Sequence, residues 1–393
     1  MTDTLEIPYG TRDALPDEAR QNRLLKNGLS DLFFGFGYRE VTTPALEYAD
    51  TLTRGNTEGN LEESLFKISG IGKLTALRHE MTTPLARLAV SRLSGSPLPL
   101  KLFYIADVWR FTKETQAGRQ CEFCQGGVEL TGSPQPAADA EVMALCVMSM
   151  KKGGLKNFRL SLGSVAFVRA TLEALNLNER EQTKLKRALE KRDIVKFNAE
   201  IAALNLDDAA AKNLRRLPYL IGKEEILSEC NAMAKNAAAK AAVDNLAEIY
   251  RLLKIYGVAD AVFFDMGLIR DFDYYTGAVF EVYAEGLGFP VSGGGRYDTL
   301  LASFGENCPA TGFSLGLDRL LIAKAQQGGK FADDEDRVYV AYAADAEKAA
   351  IERAAALREE NGKSAVEIAF AAQTEEEAAQ TAKERGCRLV YCR

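Results

Sequence analysis

The sequence predicts an α+β protein in two parts, because strand-like and helix-like segments are grouped unevenly along its 393 residues. Three observations support this prediction. Short apolar strand segments occur before and after a long stretch, at about 170–250, that is rich in Ala, Leu, Lys and Glu and favours helix. A separate strand–helix alternation fills residues 337–393. We therefore expect a core at 1–326 that contains a helical insertion, followed by a short C-terminal α/β unit.

The first half of the core begins with a helix over 13–36, which the spacing of Leu and Phe predicts and which Gly35 and Gly37 end. An extended segment follows at 38–46, and two short strands flank a turn within 66–77. The remaining elements predicted before the insertion are a helix at about 82–94, strands at 102–110 and 122–130, a helix at about 135–152 and a strand at 158–164.

Strands resume behind the insertion, at 261–267 and 276–284. The glycine cluster at 292–296 would let the backbone approach a ligand closely, but a plain tight turn is the commoner outcome for such a run. Residues 309–326 are predicted to begin at a turn and to become helical from Leu315 onward, and 326–336 reads as a linker. The order strand, helix, strand, helix, strand is expected for 337–393.

Composition excludes several classes of protein. Apolar residues make up 47% of the chain, but no run of about 18 of them occurs, and the N-terminus has no apolar core of the kind found in secretory signals. Seven cysteines, an odd number in no framework spacing, predict reduced thiols and a cytoplasmic protein. The net charge of −6 disfavours a nucleic-acid partner, and the single histidine disfavours a histidine-based metal site.

Two polar clusters are candidates for chemistry. The loop that follows the strand 102–110 carries Arg110, Lys113 and Arg119, which suit a phosphate or carboxylate, although a solvated hairpin loop is the plainer alternative. The segment 268–275 has one arginine, two aspartates and two tyrosines, which either serve a site or form an ion-paired turn.

Two further features have plainer structural explanations. The Cys121-x-x-Cys124 pair resembles half a zinc or redox motif but has no second pair at the spacing of a zinc ribbon. His79 beside Glu80 suits a general base, yet a structural histidine at a strand end is the simpler interpretation. We predict no metal site and no cofactor.

Six stretches together resemble the histidyl-tRNA synthetases, which are class II aminoacyl-tRNA synthetases. The match is ordered and covers roughly 1–326. It consists of the end of motif 1 at 44–47, an L-R-P-E-G-T-like loop at 77–83, motif 2 at 103–130, the two histidine-specific signatures at 268–283 and 292–305, and motif 3 at 309–320 with Arg319 as its arginine. The resemblance implies an antiparallel sheet flanked by helices, with a helical insertion and a dimer formed through motif 1.

The resemblance also implies a histidine-binding site. The residues that match the family's histidine contacts are Glu80, Thr82, Arg110, Gln125, Glu129, Arg270, Tyr274 and Tyr275. The chemistry is consistent, since an α-amino group and an imidazole need acceptors, and an α-carboxylate needs a guanidinium.

Departures from the family pattern point away from catalysis. Thr112 replaces the usual acid of motif 2, and Asp271 replaces the glycine after Arg270, where a carboxylate would oppose a substrate phosphate. His79 and Met81 replace the proline and glycine of the L-R-P-E-G-T loop. Residues 337–393 contain nine Lys and Arg against ten Asp and Glu, so they lack the basic face expected of an RNA-binding module.

This combination resembles the synthetase paralogues that serve as regulatory subunits of ATP phosphoribosyltransferase, the HisZ family. The resemblance implies a non-catalytic subunit that forms a homodimer, assembles with a short catalytic subunit into a larger hetero-oligomer and responds to histidine as effector, in the first step of histidine biosynthesis. The alternative is an active histidyl-tRNA synthetase that uses ATP and magnesium. A free-standing amino-acid activator that does not use tRNA is a third possibility.

Overall fold

The computed structural model describes residues 5–55, 61–70, 72–113, 115, 118–269, 274–329, 336–361 and 364–393. The chain divides into two compact units, Met1–Lys330 and Phe331–Arg393. Of the helices in these ranges, none combines the length and apolarity needed to cross a bilayer.

The described strands pair into three sheets. In chain order they are β1 (Arg39–Glu40), β2 (Leu46–Tyr48), β3 (Lys67–Ile68), β4 (Thr75–Leu77), β5 (Leu100–Trp109), β6 (Glu122–Thr131), β7 (Phe158–Ser164), β8 (Ile221–Gly222), β9 (Val262–Asp265), β10 (Ala278–Ala284), β11 (Ser292–Arg296), β12 (Ala310–Gly316), β13 (Arg337–Tyr342), β14 (Ala365–Ile368) and β15 (Arg388–Cys392).

The helices cover the sheets. They are α1 (Pro16–Gly35), α2 (Ala49–Leu52), α3 (Leu61–Ser64), α4 (Thr82–Arg92), α5 (Pro136–Lys152), α6 (Val165–Glu173), α7 (Glu179–Glu190), α8 (Ile194–Ala202), α9 (Asp208–Arg216), α10 (Glu225–Met233), α11 (Ala237–Ile255), α12 (Leu317–Gln326), α13 (Glu347–Asn361) and α14 (Glu375–Glu384).

The first unit is built on a large sheet with the strand order β1-β5-β6-β12-β11-β10-β7-β9-β8. The predicted α+β architecture is confirmed, but the sheet is mixed rather than wholly antiparallel, because β1 pairs with β5 and β7 pairs with β9 in parallel. The long hairpin β5–β6 continues into antiparallel pairing of β6 with β12. This central part carries most of the polar residues considered below.

Helix α1 packs on one face of this sheet through an apolar stripe. Its buried residues are Leu25, Leu29 and Phe33, spaced four residues apart. The Phe33 ring lies 5.6 Å from the ring of Phe103 in β5 and 6.0 Å from that of Phe313 in β12. The predicted helix 13–36 is therefore confirmed, with its start moved to Pro16, a favourable first helical residue.

The glycine cluster differs from its prediction. Residues 292–296 form the buried strand β11 between β10 and β12 instead of a tight turn. A Cβ at Gly294 would lie 2.1 Å from the carbonyl oxygen of Gly312, so only glycine fits this close strand approach. The prediction for residues 309–326 is also wrong at its start, because 310–316 is strand β12 rather than a turn.

The insertion is largely helical, as predicted, but not wholly so. Its residues 221–222 form the short edge strand β8, which pairs with β9 of the large sheet. Helix α11, the last helix of the insertion, packs on α5 and α6. The insertion is therefore part of the core of the first unit.

The second unit has the predicted order of elements. Its three strands are parallel, in the order β14-β13-β15. Val338, Val340 and Ala341 of the central strand are buried, together with Ala350, Ala354 and Leu357 of α13. A central strand buried on both faces is typical of a parallel sheet covered by helices.

Candidate functional site

A buried carboxylate lies at the centre of the candidate site. Glu129 is on β6 and is 3% exposed. The Tyr297 hydroxyl donates a hydrogen bond to its Oε2, and the Thr82 side chain also hydrogen-bonds to it. Burial raises the pKa of the Glu129 carboxyl from its ordinary value of 4.5 to about 8, although both hydrogen bonds lower it. A Cβ at Gly312, on the neighbouring strand, would collide with this carboxylate, so the glycine leaves room for it.

Tyr274, Tyr275 and Tyr297 form a tyrosine wall around Glu129. The rings of Tyr274 and Tyr297 stack with centroids 5.3 Å apart, and Tyr275 meets Tyr274 edge-on at 4.9 Å. Burial raises the pKa of Tyr274, Tyr297 and Tyr104 well above the ordinary value of 10, and the charge of Glu129 raises all three further. These phenols therefore stay neutral and retain hydroxyl protons that they can donate.

Glu80 also caps the N-terminus of helix α4. Its carboxylate accepts hydrogen bonds from the backbone N–H groups of Thr82, at 2.6 Å, and Thr83, at 2.9 Å. Glu80 thus satisfies two free donors at the N-terminus of α4, where a negative charge is favoured. Its charge still reaches the centre of the site, because it contributes to the raised pKa of Glu129.

Several buried polar atoms of this region find no hydrogen-bond partner within the described protein. They are Gln125 Oε1, the Tyr104 hydroxyl and His79 Nδ1. Gln125 and Glu129 lie on the same face of β6, four residues and roughly 13 Å apart. A Cβ at Gly127, between them on that face, would be 2.6 Å from the Tyr104 hydroxyl. The face therefore presents polar groups in a row, two of them unsatisfied.

Unsatisfied buried acceptors are costly, at about 1–3 kcal/mol each. A row that combines acceptors with neutral hydroxyls suits an elongated polar ligand that carries N–H donors at more than one position. An amino acid with an ionisable side chain has this character.

Arg110 lies toward the Gln125 end of the row. Its Nη2 donates to the His79 carbonyl at 3.2 Å, and its guanidinium is 5.8 Å from the ring centroid of Phe123. Burial lowers the pKa of His79, which keeps that imidazole neutral. His79 is 4% exposed and lies two residues after the end of β4.

The structure thus brings together Glu80, Thr82, Glu129, Tyr274 and Tyr275, and places Gln125 and Arg110 at the other end of the row. Arg270 and Asp271 lie outside the described residues. Sequence reasoning missed Tyr104 and Tyr297. Tyr297 had a signal, because it lies in the second histidine signature, two residues after its glycine run.

The motif 3 arginine is engaged by the protein itself. Arg319 donates from Nε to the Gly118 carbonyl at 3.0 Å and from Nη1 to the Pro290 carbonyl at 2.8 Å. Its guanidinium lies 4.9 Å from the Phe289 ring centroid. Gly118, with φ +77°, packs so closely that a Cβ would be 2.9 Å from Phe289. Two donors and one face of this guanidinium are therefore committed to the loops around 118 and 290.

The Cys124 thiol is unsuited to thiolate chemistry. Cys121 and Cys124 are both buried, and burial raises the pKa of the Cys124 thiol to about 12. Within the described ranges, no group of three or more His, Cys, Asp or Glu side chains is arranged to hold a metal ion.

Comparison with known proteins agrees with this architecture. The histidyl-tRNA synthetase family model matches residues 10–320. An ATP phosphoribosyltransferase regulatory subunit of Moorella thermoacetica is 41% identical over 98% of this chain and 98% of its own length.

Two solved structures share the fold. One, described as an ATP phosphoribosyltransferase regulatory subunit/histidyl-tRNA synthetase from Bacillus halodurans, has a TM-score of 0.86 at 30% identity and covers 99% of this chain and 98% of its own. The histidyl-tRNA synthetase of Nostoc has a TM-score of 0.83 at 20% identity, with 98% and 90% coverage. The chain therefore belongs to the family of ATP phosphoribosyltransferase regulatory subunits, which is built on the histidyl-tRNA synthetase fold.

Proposed function

We propose that this protein is the non-catalytic regulatory subunit of an ATP phosphoribosyltransferase, and that the pocket around Glu129 binds histidine as its feedback effector. The observation that supports the ligand is the row of unsatisfied polar groups on β6 and β5, next to a buried carboxylate. The name shared by full-length relatives at about 40% identity supports the regulatory role.

Histidine carries N–H donors that match the acceptors of the pocket. Its imidazole N–H suits Glu129 and the tyrosine wall, and its α-ammonium group suits Gln125 Oε1. Arg110 and Arg270 are the guanidinium groups proposed for the α-carboxylate.

The contacts of Arg319 and two departures from the synthetase pattern argue against amino-acid activation. Activation needs cationic groups that are free to stabilise a transferring phosphate. The Arg319 guanidinium is already held by two backbone carbonyls and an aromatic ring. Thr112 and Asp271 replace residues of the synthetase pattern.

The proposed partner is a short catalytic subunit, supplied as a separate chain. We propose that the regulatory chain forms a homodimer through its synthetase-like unit and joins the partner in a cytoplasmic hetero-oligomer with equal numbers of both chains. Transfer RNA is not a proposed partner.

The test is co-expression with a short phosphoribosyltransferase, copurification, and an activity assay with and without histidine. We expect a complex whose phosphoribosyltransferase activity requires this chain and falls when histidine is added. An active complex that ignores histidine would overturn the effector role, and absence of any complex would overturn the regulatory role.

A further inference from the structure

A buried arginine lies directly behind the tyrosine wall. Arg296 is 6% exposed and ends strand β11. Its Nε lies 3.1 and 3.0 Å from the two carboxylate oxygens of Asp139, a residue of α5 that is 1% exposed. Its Nη1 donates to the Ser133 carbonyl at 3.1 Å and to Asp298 Oδ1 at 3.2 Å. The guanidinium is thus held from several directions, which fixes its orientation.

The residues on both sides of Tyr297 are fixed by this network. Asp298 Oδ1 accepts from the Ala310 N–H at 3.1 Å as well as from Arg296, and the Tyr297 N–H donates to the Ala310 carbonyl at 2.8 Å. Tyr297 therefore leaves the sheet at a defined angle, and its hydroxyl meets Glu129.

The backbone groups of Arg296 and Asp298 hold the other tyrosine segment. The Thr276 N–H donates to the Arg296 carbonyl at 2.8 Å, and the Asp298 N–H donates to the Thr276 hydroxyl oxygen at 3.0 Å. Thr276 directly follows Tyr274 and Tyr275. The stacked rings of Tyr274 and Tyr297 are consequently carried by two segments that are tied to each other.

We infer that Arg296, anchored by Asp139 and Asp298, is a positioning residue that sets the pocket's selectivity for the ring N–H of its ligand. This inference rests on the proposed function, because it concerns the end of the histidine pocket formed by Glu129 and Tyr297. A buried ion pair is often no more stabilising than apolar residues of the same size, so stability alone is a weak reason for its presence. The fixed orientation of the fork-shaped guanidinium gives a specific reason for the presence of the ion pair.

The experiment compares the binding of histidine with that of its two ring-methylated forms, Nπ-methylhistidine and Nτ-methylhistidine, by calorimetry on the full chain. The variants are Arg296→Lys and Asp298→Ala. Asp298→Ala is the milder change, since the Asp298 side chain is 39% exposed. Asp298→Asn retains the Oδ1 acceptor and serves as the conservative rescue. Glu141→Gln is the matched control, because Glu141 is also on α5 and forms a partly buried ion pair with Lys101.

We expect the wild-type protein to prefer histidine over at least one methylated form by about tenfold or more, the value of one charge-assisted hydrogen bond. That preference should fall to about threefold or less in Asp298→Ala and Arg296→Lys, and should persist in Asp298→Asn and Glu141→Gln. Loss of affinity for all three compounds in parallel, or an unchanged preference in a folded Asp298→Ala protein, would overturn the inference. Failure of the wild-type protein to bind histidine at all would instead overturn the proposed function, and the inference with it.

Discussion

The Tyr297 hydroxyl donates a hydrogen bond to the carboxylate of Glu129, a residue 168 positions away in the sequence. Tyr297 follows strand β11 and Glu129 lies on β6, with β12 between these strands in the sheet. Gly312 of β12 leaves room for the contact, because a Cβ there would collide with Glu129. This pair forms the buried end of the proposed histidine pocket, and the predictions below depend on it or on the loops around it.

The protein is expected not to activate histidine. The Arg319 donors that are committed to Gly118 and Pro290, together with Thr112 and Asp271, remove the charge arrangement that phosphate chemistry requires. The measurement is histidine-dependent exchange of pyrophosphate into ATP, with a histidyl-tRNA synthetase as positive control. Turnover in the ordinary enzymatic range of about 1–10³ per second would contradict the regulatory function.

Neutralising the charges of the pocket should weaken histidine binding while the fold and oligomeric state are retained. Measured above about pH 8, where the Glu129 carboxyl is ionised, Glu129→Gln and Arg270→Ala should each lower the affinity roughly 10- to 100-fold, since each would remove a charge-assisted hydrogen bond proposed for the ligand. Calorimetry measures the affinity, and light scattering measures the mass. Glu122→Gln is the matched control, because Glu122 is exposed and lies on the opposite face of β6. If both pocket variants bind histidine as the wild type does, the effector site lies elsewhere.

The stability of the ligand-free protein should depend on the titration of Glu129. Burial raises the pKa of this carboxyl in the folded protein to about 8, from 4.5. Between these values the folded state binds more protons than the unfolded state, so the free energy of unfolding should fall as the pH rises from about 4.5 to about 8. Glu129→Gln removes this contribution. Thermal unfolding of both proteins at several pH values should show that the wild type loses stability relative to the variant over this window, and parallel curves would contradict the assignment.

Histidine binding and partner binding should be coupled. If histidine bound here inhibits the catalytic subunit, linkage requires that the partner or its substrates change histidine affinity by the same factor, typically about 5- to 150-fold. Histidine titrations of the isolated protein and of the purified complex, with and without partner substrates, measure this factor. Equal affinities under all conditions would show that histidine binding in this pocket is not coupled to the partner. The protein would then act only as an assembly scaffold.

Much of the fold follows from local patterns in the sequence. The helix 13–36 was predictable because Leu25, Leu29 and Phe33 recur at the spacing that places them on one helix face. The long strands β5 and β6 were predictable from their apolar runs on either side of a polar loop. The ordered motifs of the synthetase family predicted Gln125 and Glu129 as residues of one site, and in the structure both side chains lie on the same face of β6.

Tertiary structure alone decided the remaining features. Glycine has no side chain, so β11 carries no alternating pattern, and its identity as a strand depends on the neighbours β10 and β12 that pair with it. Likewise, no local rule connects Arg296 with Asp139, 157 residues earlier, or Tyr297 with Glu129. The sequence by itself determined which segments form helices and which family they resemble, because those depend on short-range periodicity and motif order. Which side chains meet inside the pocket depends on strand order in the sheet, and only the folded chain sets that order.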